Sequence, residues 1–166
     1  MSAPTACGSA PEFATKQFRQ ALSQFATGVT VITARQADGE PIGVTSNSFN
    51  AVSFEPPLVL WSLAHAAGSM AGIAAGDGYV VNVLAGDQIE LAQRFALADP
   101  GLFGALPFAL SRRGLPILPG CVAWFECRHR SRYTEAEHVI FVGEVESCHS
   151  HPQRTLGFHR GRFIAL

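Results

Sequence analysis

Charged residues are scarce in this chain. They make up 15% of its 166 residues, against roughly a quarter in an ordinary soluble protein. Part of the surface is therefore expected to be covered, most simply by a second copy of the same chain. The 12 basic and 13 acidic residues leave a formal charge of -1, too little positive field to hold a nucleic-acid backbone. No apolar run approaches 18 residues, and the opening MSAPTACGSAPEF has no basic region followed by an apolar core. Neither a membrane span nor a secretory leader is expected, which points to the cytoplasm.

Other absences narrow the chemistry. The four cysteines, Cys7, Cys121, Cys127 and Cys148, include no C-x-x-C pair, and the histidines at 65, 129, 138, 149, 151 and 159 include no H-x-x-x-H pair. Free thiols and no metal site are the expectation. There is no GxGxxG after a strand and no GxxxxGK, which argues against Rossmann and P-loop sites but leaves nucleotide binding by another fold open. No serine stands in a recognisable arrangement with histidine and acid, so a hydrolase is not supported.

What remains is rich in apolar residues, 48%, and long enough for one domain. Residues 1–12 are expected to be disordered and 13–166 to form that domain. Ser9, Pro11 and Glu12 spell a helix start, with Phe18, Leu22 and Phe25 as an inward stripe ending near Gly28. GVTVITA, the turn QADGE and PIGVTSNSF read as a hairpin. After Pro56 and Pro57 comes the apolar strand LVLWSL, then a weak helix in AHAAGSMAGIAAGDG, the strand YVVNVLA and the helix DQIELAQRFA with Asp87 as cap. Leu97 to Pro119 turns to glycine, proline and leucine, as in a functional or partner-covered loop. CVAWFECRHRSRY and HVIFVGEVESCHS are two long strands, and GFHRGRFIAL is a further strand or a rim loop. The expected fold class is mainly β with flanking helices, its six or seven antiparallel strands closing into a barrel.

Three stretches stand out chemically. Thr45, Ser46, Asn47 and Ser48 are four small polar residues in an apolar setting, fitting either a solvent-facing strand end or a ligand held by several directed hydrogen bonds. Ser62, His65 and Ser69 surround the start of the weak helix, where an anion can rest. His159, Arg160 and Arg162 cluster around Gly161 and suit either an anionic or heteroaromatic partner or the protein's own acids. Arg128, Arg130 and Arg132 alternate on one strand face, expected to meet acids of the next strand. Cys121 and Cys127 are expected to share a buried strand face.

FRQALSQFATGVTVITARQADGEPIGVTSNSFNAVSFEPPLVLWSL, followed in order by GYVVNVLAGDQIELAQRFA, LPILPGCVAWFECR, HVIFVGEVES and FHRGRF, resembles the short-chain flavin reductase family. These are the reductase components of two-component flavin-dependent monooxygenases, and the likeness runs over nearly the whole chain beyond the first dozen residues. It implies an FMN-binding split barrel, normally a homodimer, that reduces FMN or FAD with NADH or NADPH and passes the reduced flavin to a separate oxygenase. A non-catalytic flavin-binding or electron-carrying protein is the alternative. The positions implied for the nucleotides are Thr45, Ser46, Asn47, Ser48 and Ser53, then Ser62, Leu63, His65 and Ser69, with Asn82 in a family motif. His159, Arg160, Gly161 and Arg162 fall on the nicotinamide side, with His159 implied to orient that ring. The family commonly carries a basic residue within the stretch that is AHAAGSM here.

Overall fold

The computed structural model describes residues 15–97 and 101–166. The expected disordered segment 1–12 and the helix start at Ser9 lie outside the described residues. The first described helix, α1 (Thr15–Leu22), ends before β1 (Thr27–Gly28) and β2 (Thr30–Arg35). β2 turns through Asp38 and Gly39 into β3 (Pro41–Ser46). Gly39 takes a left-handed φ of 89° there, which an L side chain resists, and the Asp38 carboxylate accepts the Glu40 N–H at 3.0 Å. β4 (Asn50–Phe54) and β5 (Pro57–Ala64) follow as a second hairpin. Next come α2 (Met70–Ala75), β6 (Gly78–Val83), α3 (Ile89–Ala96) and the short pair β7 (Ala109–Leu110) and β8 (Pro116–Ile117). Two long strands, β9 (Ala123–Glu135) and β10 (His138–Ser150), precede the closing hairpin of β11 (Leu156–His159) and β12 (Arg162–Ala165).

Seven strands form one antiparallel sheet in the order β3-β2-β6-β9-β10-β5-β4, while β1, β11 and β12 form a separate three-stranded sheet. The expected closed barrel is not what the chain builds. Closure needs a ladder between β3 and β4, yet β3 pairs only with β2 and β4 only with β5. Two of the three residues that join β3 to β4 are held elsewhere: Ser48 is bonded to β5 at Ser62, and Phe49 packs against Phe125 with ring centroids 5.4 Å apart. Among the described residues two edges therefore stay open, and β3 is one of them.

Alternation along the strands gives each sheet face its own core. Ile32, Trp61, Tyr79, Val81, Cys127 and Phe141 lie on one face, where Trp61 and Phe141 stack 4.7 Å apart at 9°. Val29, Val31, Leu84, Ala92, Phe95, Leu118 and Cys121 lie on the other, beneath α3 and the 101–121 segment. Cys121 and Cys127 are both buried, as expected, but in different cores. Burial pushes both thiols up to about 12.

The local expectations fail where tertiary contacts outweigh propensity. Asp87 does not cap α3: Gln88 holds that position, and its side chain accepts the Ala85 N–H at 2.9 Å and donates to the Pro119 carbonyl at 2.8 Å. The stripe on and after α1 is not covered, since Leu22 and Phe25 are exposed. The 101–121 segment is pinned to the sheet by buried polar groups. Asn82 donates to the Val31 carbonyl and the Thr33 hydroxyl, both at 3.0 Å, and accepts the Leu118 N–H at 2.9 Å. Buried Glu126 accepts the Arg113 N–H at 2.9 Å and the Ser111 hydroxyl. Two arginines of the β9 face meet acids of β10 as expected, with Arg128 3.1 Å and Arg130 2.9 Å from Glu144, while the Arg132 guanidinium lies over the Phe141 ring, 5.6 Å from its centroid. Among the described residues no helix is long and apolar enough to cross a membrane.

Candidate functional site

At the open edge of β3 lies a hollow of about 370 Å³, in the range of small-molecule sites. Its wall includes Gln36, Ile42, Gly43, Val44, Ala67 and Ser69, with Phe95 and Phe103 opposite, and it contains no charged side chain among the described residues. Gly43 lets α3 come down on the strand: a Cβ there would lie 2.7 Å from the Phe95 ring. Thr45 fixes the same approach by donating its hydroxyl to the Ala92 carbonyl at 2.7 Å.

The end of β3 is wired to β5. Ser46 and Ser48 hydroxyls are 2.9 Å apart, and the Ser48 N–H donates to Ser46 Oγ at 3.3 Å. Ser48 Oγ accepts the Ser62 N–H at 2.8 Å and donates to the Ser62 carbonyl at 3.2 Å. The Ser46 carbonyl accepts the Thr30 hydroxyl at 2.8 Å. Of the four residues only Asn47 is exposed, and its amide has no hydrogen-bond partner among the described residues. Three of the polar side chains thus shape the strand end, and the fourth is presented outward.

The other expected positions fall in several places. Ser69 lines the hollow at the N-cap position of α2, where its side chain makes no capping bond. Ser62 is half-buried on β5, and Leu63 belongs to the core. His65 is exposed, its N–H bonded to the Glu137 carbonyl at 2.8 Å, beside His138 at the start of β10. Ser53 on β4 accepts the Glu55 N–H at 3.2 Å. Asn82 is wholly buried, with its amide engaged by the 118 segment and β2, so it supports the scaffold and does not reach a ligand.

His159, Arg160, Gly161 and Arg162 form the tip of the β11–β12 hairpin, with His159 opposite Arg162. Arg160 and Gly161 take φ of 51° and 77°, the left-handed pair that a two-residue hairpin turn requires. The Arg160 N–H donates to the Ser23 carbonyl at 3.0 Å, tying this tip to the end of α1. Among the described residues no hydrogen bond joins it to residues 45–48 or 62–69.

Gln36, Gly43, Phe95 and Phe103 are wall residues that pattern reading did not pick out as a site. One signal was present: a glycine inside a β-branched strand marks a close approach.

The chain is thus a mainly β protein whose antiparallel sheet carries an uncharged hollow along one edge. Residues 22–166 match the family described as flavin reductase like domain, and the chain belongs to that family. It is 37% identical over 152 residues to a probable flavin reductase of Rhizobium meliloti, covering 92% of this chain but 49% of that protein, so the chain spans about half that relative's length. It is 39% identical to FMN reductase (NADH) SmoA of Agrobacterium fabrum, over 89% of this chain and 84% of that one. Among solved structures, NADH:FAD oxidoreductase SgcE6 of Streptomyces globisporus, in complex with NAD and FAD fragments, superposes with a TM-score of 0.83 at 35% identity. That superposition covers 89% of this chain and 90% of SgcE6.

Proposed function

We propose that the protein is an NAD(P)H-dependent reductase of FMN or FAD that supplies reduced flavin to a separate monooxygenase component. The observation that carries this is the end of β3, which among the described residues has a free strand edge, an unpartnered Asn47 amide and an uncharged hollow, in a chain of the flavin reductase-like family. The residues fit a flavin, because a planar heterocycle with a polyol chain needs apolar walls and directed hydrogen bonds more than fixed charge. Bound flavin would supply the hydride acceptor for a nicotinamide donor.

The chain's own contribution is positioning. The Ser46–Ser48–Ser62 bonds hold the strand end in one conformation, so that Asn47 and the backbone around it meet the ring edge, with Ser53 and His65 at the periphery. Ser62 and Ser69 face the ribityl and phosphate portion. The His159–Arg162 tip serves the nicotinamide nucleotide, its two guanidinium groups suited to the phosphates.

A homodimer accords with the exposed apolar groups: Phe54 on edge strand β4 is 94% accessible, and Phe25 after α1 is 73%. Sedimentation of the purified protein tests that assembly. The cytoplasm accords with the free thiols Cys121, Cys127 and Cys148. Residues 13–166 are read as one domain, in keeping with the family match over 22–166.

The activity is tested anaerobically by mixing the protein with NADH or NADPH and excess FMN or FAD. Loss of flavin absorbance well above the buffer rate is expected. No acceleration with either nicotinamide refutes the reductase, and tight flavin retention without turnover would make it a carrier.

A further inference from the structure

We infer that the hollow beside β3 seats the adenine of FAD, so that this chain selects FAD over FMN; the inference rests on the reductase reading above. The wall chemistry comes first. The lining is apolar except for the Gln36 amide and the Ser69 hydroxyl, and neither has a side-chain hydrogen bond among the described residues. Gln36 is anchored through its backbone, donating to the Glu40 carbonyl at 2.9 Å and accepting the Gly39 N–H at 3.0 Å. Its side chain packs over Gly72, where a Cβ would come within 3.0 Å of Cγ. A planar amide held at the rim of an uncharged pocket offers a donor and an acceptor side by side, the pair that matches adenine N6 and N7.

The same wall disfavours FMN as the better ligand. A phosphate monoester carries close to two negative charges near neutrality, and no Lys or Arg lies between Arg35 and Arg94 in the sequence. FAD has the same need at its diphosphate, but it recovers free energy by burying a neutral base in the hollow, which FMN cannot do.

Spacing agrees. From Asn47 back to Pro41 is six residues along β3, about 20 Å at ~3.3 Å per residue. With the ring system at Asn47, the far end of an extended dinucleotide reaches the hollow, passing Ser69.

An adenine on a diphosphate also belongs to NAD(P)H. The wall of the hollow runs along β3 as far as Val44, the residue before Thr45, which assigns it to the flavin, and the separate His159–Arg162 tip is left to the nicotinamide.

Titrate the full chain with FAD, FMN and riboflavin by fluorescence, and repeat with Gln36→Ala. FAD is expected to bind about tenfold or more tightly than FMN, the effect of one good bidentate contact and the burial of a base. Gln36→Ala should raise the FAD Kd about tenfold and leave the FMN Kd and the KM for NADH unchanged. Equal affinities of wild type for FAD and FMN would overturn the inference while the reductase reading stands. A Gln36→Ala effect confined to the KM for NADH would overturn it too, giving the hollow to the nicotinamide dinucleotide. Failure of all three flavins to bind would remove both.

Discussion

Gly43→Ala should damage stability and ligand binding together. An ideal Cβ at this position lies 2.7 and 2.8 Å from Cε1 and Cδ1 of Phe95 and 3.3 Å from the Ile32 carbonyl oxygen. Carbon atoms prefer about 3.5 Å or more, so the overlap approaches ~1 Å. The ring has little room to yield. Phe95 is fully buried, meets Phe103 edge-on with centroids 5.2 Å apart, and rides on a helix fastened to β3 by the Thr45–Ala92 bond. Overpacking of this kind costs about 1–3 kcal/mol. Displacing α3 also deforms the wall of the hollow, so FAD should bind about tenfold more weakly, equivalent to about 1.4 kcal/mol. Urea unfolding with and without FAD measures both effects. Gly28→Ala is the control, because nothing lies within 4 Å of a Cβ there, and its midpoint should move by less than about 0.5 kcal/mol. Adding Phe95→Leu to Gly43→Ala should recover about 1 kcal/mol beyond additivity. An unchanged midpoint for Gly43→Ala, or strict additivity in the double mutant, would refute the packing argument.

Asn82→Ala leaves the Leu118 N–H without its acceptor and removes the bonds to Val31 and Thr33; a loss of about 2–4 kcal/mol is expected, with faster hydrogen exchange at 116–118, and a loss below about 0.5 kcal/mol would contradict the anchoring role. Native protein treated with a thiol reagent near pH 8 should be labelled at Cys148 but not at Cys121 or Cys127, whose burial pushes them up to about 12; rapid labelling of either before urea is added would show the cores to be open. Burial, and next the charge of Arg132, lower the His129 pKa below the ordinary value, so below about pH 6.5 the unfolded chain binds a proton that the folded chain does not. Stability should therefore fall as pH drops through that region, and His129→Gln should flatten the fall; an equal slope in both proteins would assign it to other groups. Arg160→Ala or Arg162→Ala should raise the KM for NAD(P)H more than the flavin Kd, and the opposite order would move the nicotinamide away from the hairpin tip.

Local chemistry made much of the sheet legible. The β2–β3 hairpin follows from β-branched strands around Asp38 and Gly39, and the β9–β10 pair from two long apolar stretches with alternating arginines answered by Glu144 and Glu146. The open edge was not legible, because β3 and β4 are consecutive in the chain yet stand at opposite ends of the seven-stranded sheet. Closure and non-closure of β3 against β4 share one hydrophobic pattern, and the difference lies in where the Ser48 hydroxyl finds its partners. β4 itself was missed, since NAVSF is exposed along most of its length and pairs on one side only. At the site, residues 45–48 were singled out by composition, but composition assigned all four alike. Only the structure separates Thr45, which serves α3, from Asn47, whose amide bonds nothing among the described residues. Asn82 shows the opposite limit, because an amide in a strand signals an unusual demand without saying whether a ligand or a neighbouring carbonyl makes it.

The double pinning of the 101–121 segment separates two parts of one connection. Phe103 holds the wall of the hollow, and Ser111 and Arg113 are tied to Glu126, while most of residues 104–110 between them remain at the surface. Chain length can change at exposed Gly104 and Ala105, ahead of Phe108, which packs on Phe103, and of the β7–β8 pair, at little thermodynamic cost, since a doubled loop adds only about 0.6 kcal/mol. Insertions there would lengthen an outer lip without disturbing the floor. The outer surface of the fold can thus change while the hollow stays as it is.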